Sequence, residues 1–192
     1  MSFEPSEDLH PDLAPIGWLI GRWEGSGKAT YPDTADFDFG QQIDFAHNGG
    51  NYLHYLSQLF EVNDEGMAIR PLDMETGFWR PQRDGGIEVV MCRPAGYAEV
   101  WYGSITGSKI ELATDAVVRT ASAEDYSAGQ RLYGNVSGEL LWTFDKAAHG
   151  HHLQTYMLRR PSASREQAKR SSTYLTTKRS SSMLTTNQCC CP

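Results

Sequence analysis

The chain has 192 residues, 40% of them hydrophobic and 11% aromatic, which suits one domain with a buried core and a further segment. Its formal charge of −7 is unevenly divided: residues 159–192 hold seven Lys/Arg and one acid, Glu166, so they carry +6 against −13 for the rest. The acidic body excludes nucleic acid and anionic membrane as the main partner, and no apolar run approaches the ~20 residues needed to span a bilayer.

Residues 1–12 are acidic and proline-containing and lack the basic start and apolar centre of a secretory signal, so a flexible N-terminus is expected. The short apolar run LAPIGWLIG then predicts one helical turn able to plug a barrel end. From residue 21 the chain reads as strands separated by hairpin punctuation such as AHNGGN, QRDGG, ITGS and VSGE. Strands are predicted over 21–32, 37–47, 51–62, 67–81, 86–93, 97–105, 109–121, 126–136, 139–146 and 151–159. Alternation is clearest in the seventh. Ile110, Leu112, Thr114, Ala116 and Val118 are expected on one face, and Lys109, Glu111, Asp115 and Arg119 on the other. Ten successive antiparallel strands with short connections predict an all-β, up-and-down barrel, because closure removes the sheet edges. A β-sandwich is the alternative.

Residues 161–192 are basic and Ser/Thr-rich, with almost no apolar periodicity, and disorder is expected there. The abrupt change in charge and composition fits a non-native extension or a frameshift better than a functional basic tail. Cys92 stands alone in the body, and Cys189, Cys190 and Cys191 close the chain. Without a disulfide framework a reducing cytoplasm is expected.

The strongest local signature is GRWEGSG. Gly21, Trp23, Gly25 and Gly27 fall on one strand face, where small residues permit close backbone approach and a ring can close a barrel end. It marks a fold more than a reaction, and no phosphate loop follows it. The motif comes after PIGWLIG and before GKATYP. PLDMETGFWRP lies at 71–81 and RLYGNVSGELLWTFDKAAHG at 131–150. Together these resemble the nitrobindin family over roughly 13–158. The resemblance implies a ten-stranded barrel like the lipocalins and fatty-acid-binding proteins. It also implies haem b held at the barrel mouth by one proximal histidine on the last strand. In that family the ferric form converts peroxynitrite to nitrate and the ferrous form binds nitric oxide.

The family's histidine falls in a P-L-Q-x-H-L pattern after a D-M-A-A-like segment. Here Asp145, Ala147, Ala148 and Gly150 match the lead-in, and Leu153 and Gln154 match L-Q. The histidine position is then Tyr156, with Met157 for leucine and His152 for proline. This departure implies weak or absent haem binding and little peroxynitrite chemistry, so the chain leans away from being an enzyme. Two alternatives stay open: a carrier of a small apolar ligand such as a fatty acid, and an active ferric-haem protein using Tyr156 or His152 as axial ligand. Strand alternation would put His152, Gln154, Tyr156 and Leu158 on one face and Arg159 on the other, with His152 roughly 13 Å from Tyr156. Asp33 and Thr34 resemble the family's pocket edge. His149, His151 and His152 lack a completing ligand set, so no native metal site beyond a haem iron is expected. His47 and His54 are expected at the rim.

Overall fold

The computed structural model describes residues 8–63 and 65–159. A 3-10 helix, Pro11–Leu19, is followed by ten strands. They are β1 (Gly21–Ala29), β2 (Phe37–Ala46), β3 (Leu53–Val62), β4 (Ala68–Pro81), β5 (Gly86–Arg93), β6 (Tyr97–Thr106), β7 (Lys109–Arg119), β8 (Tyr126–Val136), β9 (Glu139–Ala148) and β10 (Gln154–Arg159). Each pairs antiparallel with its chain neighbour, and β10 returns to β1, which closes the barrel. The expected all-β, up-and-down barrel is therefore the observed one. The segments expected to be flexible or disordered lie outside the described residues, except at 8–12, where the helix already begins at Pro11.

The helix stoppers the end at which β1 starts. Leu13, Ile16 and Leu19 are fully buried, and the Trp23 indole N–H donates to the Leu19 carbonyl at 2.7 Å. The interior is filled by large rings: Trp79, Trp101, Tyr55, Tyr133, Phe39 and Phe45 are all at or below 2% exposure. Glycine is needed where these rings meet the wall. A Cβ on Gly27 would lie 2.3 Å from the Phe39 ring and 2.4 Å from the Leu158 carbonyl oxygen, and one on Gly25 would strike the Arg159 guanidinium.

Several register shifts depart from simple alternation, and two of them reverse expected facings. In β7, Val100 pairs with Ala116 but Trp101 with Thr114, leaving Asp115 as an extra residue. Parity inverts there, so Val117 packs on the core and Val118 is 66% exposed, the reverse of the expected facing. In β10, Thr155 pairs with Asp145 but Met157 with Phe144, so Tyr156 is the inserted residue. Tyr156 packs on the core, Met157 is buried, and Arg159 turns inward to 7% exposure, where strand alternation had placed it outward. Its guanidinium donates to the Glu24 carbonyl. The strand also begins at Gln154, not 151. His152 is exposed ahead of it, so no strand parity links His152 to Tyr156.

Candidate functional site

Charged residues enter the barrel where strand parity sends them among the aromatics. Glu75 is four residues from Trp79 on β4, Glu99 two from Trp101 on β6, and Arg131 two from Tyr133 on β8. Arg131 grips Glu75 with two N–H···O bonds of 2.7 Å. Arg93 reaches Glu75 at 2.8 Å, Asp73 at 3.4 Å and Glu99 at 3.6 Å. Tyr55 donates its hydroxyl to Glu75 at 2.5 Å. Burial alone would raise the Glu75 pKa, but Arg131 and then Arg93 outweigh it and hold the carboxyl well below the usual range. The Arg131 guanidinium lies over the Phe144 ring, 4.4 Å from its centroid.

Above this network, at the end away from the helix, a cavity of about 240 Å³ opens between the strand ends. Its walls include Tyr97, Tyr126, Phe144 and Tyr156, with Asp73, Arg93 and Lys146 among them and Glu124 and His149 at its edge. Two larger grooves, of about 470 and 490 Å³, run along the outer wall of the barrel over β6–β9 and β8–β10. The mouth cavity reaches the buried charge network through Asp73 and Arg93.

Tyr156 stands in this mouth because the bulge turns it inward. Its ring packs edge-on against Tyr31 at 5.7 Å and Phe144 at 5.8 Å. The Lys146 ammonium sits 3.9 Å from the Tyr156 ring centroid and 4.6 Å from that of Tyr31. Burial raises the Tyr156 pKa above its ordinary value, and burial followed by Arg93's charge lowers that of Lys146. The Tyr126 hydroxyl is buried facing Glu99 but makes no well-directed hydrogen bond.

The other residues singled out from the sequence fall around this mouth or away from it. Asp33, at a left-handed φ of 62°, accepts a hydrogen bond at Oδ2 from His151 Nε2 at 3.0 Å, and the His151 ring rests edge-on against Tyr31. Thr34 turns back to its own loop and donates to the Tyr31 carbonyl. Neither lines the cavity directly. His149 lies 3.4 Å from Glu124. His152 makes no approach to the cavity wall, and His54 bonds Thr76 on the outer face beside Phe78. Gly21, Trp23, Gly25 and Gly27 belong to the barrel wall. The alternation pattern did not single out Lys146, Arg93, Tyr97 and Tyr126, although the first three lie an even number of strand positions from buried Phe144, Met91 and Trp101; for Tyr126 a bulge before Ala128 breaks the parity with Tyr133.

A haem would need an axial donor aimed into this mouth. The only inward donor at the expected position is a phenol whose pKa burial has raised, whereas ligation to iron requires phenolate. An ammonium already lies over that ring. The residues present do not fit the group.

Residues 12–160 match a family model described as the THAP4-like, haem-binding β-barrel domain. The chain is similar to a ferric nitrobindin-like protein of Cutibacterium acnes, at 54% identity over 159 residues covering 82% of this chain and 96% of the other. It is also similar to a peroxynitrite isomerase of Nocardioides sp., at 45% identity covering 82% and 96%. Among solved structures it matches that of Rv2717c from M. tuberculosis, with a TM-score of 0.70 and 33% identity, covering 79% of this chain and 96% of that one. No helix among the described residues is long and apolar enough to cross a membrane.

Proposed function

The chain belongs to the THAP4-like, haem-binding β-barrel family, the nitrobindins, and on that premise we propose that this member is a small-molecule-binding barrel without the family's haem iron ligand, and hence without peroxynitrite isomerase activity. The observation that carries this reading is Tyr156. The family resemblance puts the axial histidine at this position, and here a neutral phenol packs under the Lys146 ammonium. His152 is no substitute, since it is exposed ahead of β10. A fatty-acid carrier is less favoured, because an alkyl chain would need the interior that Trp79, Trp101 and Tyr133 fill.

The activity arm of this reading is tested by stopped-flow decay of peroxynitrite. Protein incubated with equimolar hemin is expected to decay peroxynitrite no faster than hemin with serum-free buffer alone. A protein-dependent acceleration of about ten-fold or more, lost in Tyr156→Phe, would make the chain a working isomerase.

A further inference from the structure

The charged side chains around the mouth each meet an ion-pairing or hydrogen-bonding group, with one exception. Asp73 meets Arg93 at 3.4 Å, Asp125 meets Arg119 at 3.3 Å, and Glu124 lies 3.4 Å from His149. Deeper in, Glu75 is shared by Arg131 and Arg93, and Glu99 faces Arg93. Lys146 alone among the cations lining the cavity has no carboxylate within 4 Å among the described residues; what it meets is the faces of Tyr156 and Tyr31. A half-buried ammonium has lost part of its hydration, and ring faces return only part of that loss. An anion placed on Nζ would supply a charge-assisted hydrogen bond in a partly dry site.

The surrounding walls say what the rest of the ligand is. Tyr97, Tyr126, Phe144 and Tyr156 present aromatic surface, and Tyr97 and Tyr126 already pack edge-on at 5.4 Å. A flat ring fits between such walls with the offset and edge contacts that aromatic pairs prefer. The volume of about 240 Å³ accommodates one ring and its acid group but not a long alkyl chain. We propose that the barrel mouth binds a small aromatic carboxylic acid, its carboxylate on Lys146 Nζ and its ring among Tyr97, Tyr126, Phe144 and Tyr156. The proposal rests on the reading that this cavity, free of haem, is the functional site.

The test is calorimetric titration of the full chain with benzoate, benzyl alcohol and benzylamine, which share a ring and differ in charge. Benzoate is expected to bind at least about ten-fold more tightly than either isostere, the equivalent of one charge-assisted hydrogen bond. Lys146→Met is expected to lose about ten-fold or more of benzoate affinity, and Lys146→Arg to keep most of it. Equal binding of benzoate and benzyl alcohol overturns the proposal. So does unchanged benzoate affinity in Lys146→Met, or the lack of saturable benzoate binding up to about 10 mM. The isostere comparison uses the wild type alone, so a poorly folded variant does not obscure the result. Hemin uptake is measured separately. Tight hemin binding overturns the haem-free reading, whereas failure of benzoate with no hemin uptake overturns only the carboxylate site.

Discussion

The double variant Tyr156→His, Lys146→Met is expected to bind hemin at least about 100-fold more tightly than the wild type, with a histidine-ligated Soret band. The bulge at Tyr156 is a backbone feature set by the register between β9 and β10. A histidine there inherits the inward direction. The imidazole is neutral near pH 7 and needs no phenol-like deprotonation to bind iron. The Lys146 change matters because its ammonium lies 3.9 Å from the centroid of the ring being replaced. Tyr156→His alone is therefore expected to gain less. Equal, unimproved hemin affinity in wild type, single and double variants would place the ligand position elsewhere than residue 156.

A second large effect is expected from the buried ion network. Glu75→Gln leaves Arg131 and Arg93 facing each other in the interior with half their compensation gone. Breaking a buried pair on one side costs about 3–5 kcal/mol, which urea unfolding would read as a lower midpoint at unchanged slope. Replacing Glu75 and Arg131 together by Leu and Met is expected to recover part of the loss. The same network sets an acid limit. Because the folded-state pKa of Glu75 is depressed, its contribution is fully present above the unfolded value of about 4.3 and is lost as pH falls below it toward the folded value. Acid unfolding of the wild type should thus set in below about pH 4, and Glu75→Gln should flatten that dependence. A variant as stable as wild type at pH 7 would show that the network contributes little.

Much of the barrel is readable in the chain because its causes are local. Gly, Asn and Asp supply the left-handed φ values of tight turns, as at Gly85, Gly107 and Gly138. Period-two alternation supplies the faces. The bulges are not readable, because an extra residue at Asp115 or Tyr156 is fixed by what the neighbouring strand does, far off in sequence. That is why Val118 and Arg159 face opposite to simple alternation. The interior charges were partly legible. Parity puts Glu75, Glu99 and Arg131 on the same faces as Trp79, Trp101 and Tyr133, yet alternation alone does not say that β4, β6 and β8 bring them into one network with Arg93. Lys146 follows the same rule, two residues past Phe144 on β9. What exposes its role is the three-dimensional pairing that leaves it without a carboxylate. Tyr156 was found through resemblance to a family pattern; composition gave no hint of it.

Absorbance titration of the wild type with hemin reads directly whether the family's iron site functions in this chain. No saturable, protein-shifted Soret band is expected at hemin concentrations below about tens of micromolar, and the same curve is expected for Tyr156→Phe and His152→Ala. A stoichiometric Soret shift that disappears in Tyr156→Phe and persists in His152→Ala would contradict that expectation and establish Tyr156 as an iron ligand.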